Sequence, residues 1–138
     1  TQKRPEGETS AKPEQRRHLG KNILLVEDND DVAAALQPVL EAMGCTVTRL
    51  DRAALARDWL ARQDKLPDLV LSDVVMPGDM DGVALAQHVR QRFPQLRLIL
   101  MTGYSQQLES ISKMGFEILP KPCSPDMLAD AILRTPAA

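Results

Sequence analysis

Cysteine is scarce in this chain: only Cys45 and Cys123 occur among 138 residues, far apart and without the spacing of metal ligands. That argues against a disulfide framework or a zinc site and leaves two reduced thiols as the simple reading. Long apolar runs are missing too. The longest are strand-sized, well short of the ~20 residues a membrane-spanning helix needs, and no secretory signal is visible. A basic surplus is absent where it would matter. Residues 1–21 hold six of the 17 Lys and Arg against three of the 19 Asp and Glu, so residues 22–138 carry 11 cations and 16 acids. An acidic globular part argues against direct nucleic acid binding, because neutralising phosphates requires a basic face. No internal repeat or low-complexity block occurs. What remains, 43% hydrophobic and 26% charged, is the composition of one ordinary globular domain.

Residues 1–20 contain almost nothing apolar to bury and are expected to form a flexible linker or tail, with the packed domain at 21–135. His18 falls in that tail and is expected to be solvated. From Lys21 onward, short apolar runs alternate with helical periodicity. The runs predict strands over 23–27, 46–50, 68–72, 97–101 and 116–119. Asn29 or Asp30 is the expected cap of a helix over 31–43 that Gly44 stops, with Pro38 interrupting and kinking it. Asp51 is the expected cap of a second helix, which carries Leu55, Trp59 and Leu60 at helical spacing; Trp59 reads as packing. Asp81 caps a third, with Val83, Leu85, Ala86, Val89 and Phe93 inward, His88 at its boundary and Pro94 at its end. A short helix runs from Ser105 to Lys113 and ends at Gly115. Ser124 as cap, with Pro125 at the first helical position, opens the last helix, striped with Met127, Leu128, Ala131 and Ile132.

Five strands alternating with five helices predict an α/β fold, a doubly wound, five-stranded parallel sheet of flavodoxin-like order 2-1-3-4-5. The first, third and fourth strands have little polar character, as strands covered on both faces do; the polar second and short fifth suit the edges. In such a sheet the carboxyl ends of the strands gather along one edge, where ligands bind. There the chain places Glu27 and Asp28, Asp73, Thr102 and Lys121. Two unit charges about 4 Å apart repel by roughly 4 kcal/mol at an effective dielectric near 20. Three carboxylates therefore require a raised pKa, a bound cation or a nearby lysine. All-oxygen ligation without His or Cys favours a hard cation, and few carboxylates with room for water favour Mg²⁺ over a full Ca²⁺ cage. Such an ion neutralises charge on a transferred phosphoryl group, Lys121 adds a second positive point, Thr102 a hydroxyl, and a carboxylate is itself a competent nucleophile.

These residues, Glu27-Asp28, Asp73 with Met76-Pro77 following, Thr102-Gly103-Tyr104 and Lys121-Pro122, resemble the receiver domain of two-component response regulators over about residues 22–134. The resemblance implies that Asp73 accepts a phosphoryl group from a histidine kinase or phosphotransfer domain. It implies that Asp28 binds Mg²⁺ directly, that Glu27 helps through water, and that the Val75 carbonyl completes the protein ligands beside Asp73. Thr102 and Lys121 would hold phosphoryl oxygens. It also implies a cis Lys121-Pro122 bond, against a base rate of about 5–6% for such bonds.

The chain departs from the commonest pattern of that family in three places: Glu27 stands where Asp is more usual, Ile118 where a switching Tyr or Phe is common, and Tyr104 follows Thr102 by two. Tyr104 and Val75 are expected to crowd the water path to phosphorylated Asp73. Taken singly, each residue has an ordinary reading: Glu27 and Asp28 as helix caps, Lys121 as a loop lysine, Thr102 as a turn residue. Two other classes compete. A Mg²⁺-dependent phosphohydrolase would want a second Asp two residues after Asp73, where Val75 stands, and an interaction module would keep the fold without the chemistry. The domain on its own is not expected to be an enzyme beyond its own phosphorylation and dephosphorylation. The first residue is not Met, so the chain is expected to be a segment of a longer cytoplasmic polypeptide. The C-terminal receiver of a hybrid sensor histidine kinase is favoured over a free-standing regulator, with no membrane contact of its own.

Overall fold

The apolar runs become the strands of one parallel sheet in a computed structural model that describes residues 19–76 and 78–134. His18, most of the expected tail and Pro77 lie outside the described residues. The strands are β1 (Asn22–Val26), β2 (Thr46–Leu50), β3 (Leu69–Asp73), β4 (Arg97–Thr102) and β5 (Glu117–Pro120); the helices are α1 (Asp30–Ala42), α2 (Ala53–Ala61), α3 (Gly82–Arg92), α4 (Ser105–Lys113) and α5 (Pro125–Leu133). The sheet order is β2-β1-β3-β4-β5, all pairs parallel, with Val26 opposite both Leu50 and Ser72 and with Asp73 opposite Met101. The expected fold and strand order are both observed.

Alternation along the strands divides the core in two, since successive side chains point to opposite faces. Ile23, Leu25, Leu69, Leu71, Ile99 and Met101 pack against α1 and α5 through Leu40, Leu128 and Ile132. Leu24, Val26 and Val70 pack against α2 and α3 through Ala56, Leu60, Leu85 and Val89. A smaller cluster under α4 joins Leu100, Val74 and Ile111, with Ile118 beside it. Each fully buried Leu or Ile contributes about 1.5–3 kcal/mol relative to exposure, so this double-sided core fixes the strand register and hence which residues reach the carboxyl edge.

The helix starts follow their caps. The Asn29 side chain accepts from the N–H groups of Asp31 and Val32, Asp81 from Ala84 and Ser124 from Met127, each worth about 1 kcal/mol. Gly44 and Gly115 take positive φ just after α1 and α4, at 83° and 86°. Most element limits move by a residue, as in β1, β3, β4 and α1, and three expectations shift more specifically. Asp51 is not the cap of α2: Arg52 holds that position, without a side-chain hydrogen bond. Helix α1 continues through Pro38, which is exposed, so the carbonyl that loses its partner faces water. Strand β5 begins at Glu117 and runs to Pro120, one residue later than the apolar pattern implies. Packing also reaches back to Leu19, which lies against the core and donates to the Met43 carbonyl. Cys45 and Cys123 are unpaired, and among the described residues no helix is long and apolar enough to cross a membrane.

Candidate functional site

Strand register brings the expected residues together at the carboxyl edge. Glu27, Asp28 and Asp73 each offer a carboxylate oxygen within 4.8 Å of the others. Octahedral Mg²⁺, with oxygens at 2.0–2.1 Å, asks for separations of about 3 Å between neighbouring ligands and about 4.2 Å across the ion. The donor set therefore fits a hard cation after a small contraction. Burial is graded: Glu27 is 1% exposed, while Asp28 and Asp73 are only partly buried, with the Asp73 side chain 13% exposed, which leaves room for an ion that keeps part of its hydration shell. Val75 follows in the loop after β3, with its side chain exposed.

Lys121 arrives from the end of β5, its N–H donating to the Thr102 carbonyl at 2.8 Å. Its Nζ lies 3.2 Å from Glu27 Oε1 and 3.2 Å from Asp73 Oδ1. The Lys121-Pro122 bond is cis, as expected. Two of the three responses open to a carboxylate cluster are thus visible. Burial, then repulsion from Asp73, pushes the Glu27 carboxyl above its ordinary 4.5; the Asn29 N–H, 3.2 Å away, and Lys121 oppose this. Burial would lower the Lys121 ammonium, yet the charges of Asp73 and Glu27 outweigh it and hold that group above its ordinary value.

Thr102, 1% exposed, ends β4 with its hydroxyl donating to Gln107 Oε1 at 2.5 Å and accepting from the Tyr104 N–H at 3.1 Å. It therefore faces the first turn of α4 here. Tyr104 and Val75 are both well exposed, at 65% and 52%. Ile118 packs in the small cluster with Leu100 and Ile111, so no aromatic occupies that position between β5 and α4.

Three residues that the sequence pattern did not single out complete the edge. Gly82 opens α3 with its N–H donating to the Val74 carbonyl at 2.8 Å, and a Cβ there would stand 2.0 Å from the carbonyl oxygen of Asp73. A glycine just inside a helix, disfavoured by propensity, was the available signal. Arg49, from β2, donates to the Glu27 carbonyl from Nε at 3.0 Å and from a terminal nitrogen at 2.7 Å, and that nitrogen also reaches Asp30 at 3.0 Å. Its only signal was a cation inside the strand Thr46–Leu50. Gln107 carried none.

Comparison with known proteins identifies the family of the chain. Residues 23–133 match the family model of the response regulator receiver domain. The DNA-binding transcriptional regulator NtrC of Escherichia coli K12 is 37% identical over 103 residues, 72% of this chain but 21% of NtrC, so the chain spans about a fifth of that relative. The receiver domain of a signal transduction histidine kinase from Syntrophus aciditrophicus superposes with a TM-score of 0.74 at 30% identity, covering 83% of this chain and 89% of the other. A second solved structure, the receiver domain of a sensor histidine kinase from Pseudomonas aeruginosa PAO1 with magnesium coordinated in its active site cleft, gives 0.74 at 26% identity, covering 84% and 97%. With a family match across nearly the whole packed region, this chain belongs to the response regulator receiver domain family.

Proposed function

We propose that this domain takes a phosphoryl group from a phosphohistidine onto Asp73, with Mg²⁺ held by Glu27, Asp28, Asp73 and the Val75 carbonyl, and that the modification switches a partner surface. The observation that carries the reading is the carboxylate trio whose oxygens lie within 4.8 Å of one another, with Lys121 Nζ 3.2 Å from two of its members. An Asp73 oxygen attacks the phosphorus in line, the P–N bond breaks, and its electron pair stays on the departing imidazole nitrogen. Bound there, the metal would supply positive charge against the oxygens of the transferred group. Lys121 exchanges part of its pairing with Asp73 for a phosphoryl oxygen. Thr102 leaves Gln107 and donates to another. Glu27, buried and tied to Asn29 and Lys121, would help to hold the ion. The new charge then biases the segment 102–115 and α5 between two packings.

The donor is a histidine kinase or phosphotransfer domain, and the parent protein is a cytoplasmic hybrid sensor histidine kinase; the fold match to two kinase receivers supports that context. A free-standing regulator is the other context. Incubation with a small phosphodonor and Mg²⁺ tests the chemistry. Wild type should gain one phosphoryl group by intact mass and Asp73→Asn none; equal labelling of the two would reject the reading.

A further inference from the structure

The metal ligands Glu27 and Asp28 sit in the short connection between β1 and α1, and what holds that connection is not confined to either element. Strand β1 ends at Val26, and the Glu27 N–H still reaches the Leu50 carbonyl at 3.0 Å. The Glu27 carbonyl lies beyond the ladder, where an unpaired oxygen beside a buried side chain is costly. Arg49 supplies the partner. It stands opposite Leu25 in the register, so it rises on the face of the sheet that α1 covers. From there its guanidinium grips the Glu27 carbonyl with two donors and Asp30 with one. Asp28 lies between those two anchors.

We propose that Arg49 is a positioning residue for the metal-binding loop, a clasp that sets the direction in which Glu27 and Asp28 present their carboxylates. The inference rests on the reading of the site given above. The carbonyl contacts should matter more than the ion pair, because Asp30 is 89% exposed and exposed pairs are weak. The planar fork of arginine suits two donors on one oxygen region, which a lysine cannot reproduce.

The sign of the effect separates positioning from charge. Arg49 is a cation near a cation site, so through-space repulsion alone predicts that Arg49→Met tightens metal binding. Positioning predicts the reverse, since outer partners of metal ligands are typically worth 10–100-fold in affinity. The probe is Mn²⁺, whose free form is counted by its paramagnetic resonance signal, with thermal unfolding under chelator as the fold control. Arg49→Met should bind Mn²⁺ about 10-fold more weakly than wild type. Arg49→Lys, which keeps the charge and replaces the Met variant should that one fail to fold, should also bind more weakly, by a smaller factor. Binding as tight as wild type, or tighter, in the folded variant would overturn the clasp. Mn²⁺ binding by wild type that Asp28→Ala leaves unchanged would instead overturn the assignment of the metal site, and the clasp with it.

Discussion

Replacing Lys121 by Met removes the ammonium lying 3.2 Å from an oxygen of Glu27 and of Asp73 while keeping an unbranched apolar stem. At an effective dielectric near 20, each contact is worth about 5 kcal/mol before desolvation is set against it. The observable loss is far smaller, because Glu27 can take up a proton. Its carboxyl already titrates above 4.5 through burial and repulsion from Asp73, and without Lys121 it moves further up. Keeping neutral at pH 7 a carboxyl that ionises near 4.5 when unfolded costs about 3 kcal/mol, which caps the contribution of this group. A carboxyl whose folded pKa is raised contributes stability that is fully present below its unfolded pKa and lost as pH rises through the folded one. Lys121 stays charged across this window, its own pKa being raised above 10.5. The variant should therefore be less stable than wild type by up to about 3 kcal/mol at pH 7, with the deficit shrinking as pH falls toward 4.5. Urea unfolding under chelator between pH 4.5 and 8 reads this directly. Saturating Mg²⁺ should then stabilise the variant more than wild type, since no ammonium competes for the carboxylates. A deficit that is constant with pH, or that widens on acidification, would refute the reasoning.

Gly82→Ala forces a Cβ to within 2.0 Å of the Asp73 carbonyl oxygen, so the start of α3 must retreat by about 1 Å; a stability loss of about 2–3 kcal/mol and roughly 100-fold slower phosphorylation should follow, and wild-type values in urea unfolding and phosphodonor kinetics would contradict the close approach. Gln107→Leu takes away the acceptor of the Thr102 hydroxyl and should tighten beryllofluoride binding about 5-fold, a bond worth about 1 kcal/mol; unchanged or weaker binding in a titration would show that Gln107 does not hold Thr102 back. Tyr104→Ala should speed loss of the phosphoryl group if the exposed ring, two residues after Thr102, shields it; an unchanged dephosphorylation rate would remove that role.

Local patterns made the architecture legible because each carries its own physics. Ile23-Leu24-Leu25-Val26 and Leu69-Val70-Leu71 are apolar on both faces and are buried on both, and Asn29 and Asp81 close the first turns of the helices that follow them, as Ser124 does after β5. Asp51 failed as a cap since capping depends on backbone geometry at one residue, and the chain enters α2 one position later. The three carboxylates and Lys121 were legible because parallel register alone brings strand ends together. Gly82 against the Asp73 carbonyl, Arg49 across to Glu27 and Gln107 on Thr102 were not, since each depends on how a loop or helix start folds back over that edge. Burial was also hidden: nothing in the acidic pair distinguishes the enclosed Glu27 from the more open Asp28.

Borohydride trapping after exposure to a phosphohistidine donor and Mg²⁺ tests the central claim most directly, because reduction marks the acyl phosphate at the residue that formed it. The account predicts a single marked residue, Asp73, with no marking in Asp73→Asn or in the presence of chelator. Marking at Glu27 or Asp28 in the wild type, or a phosphoryl group that resists reduction and survives the Asp73→Asn change, would contradict it.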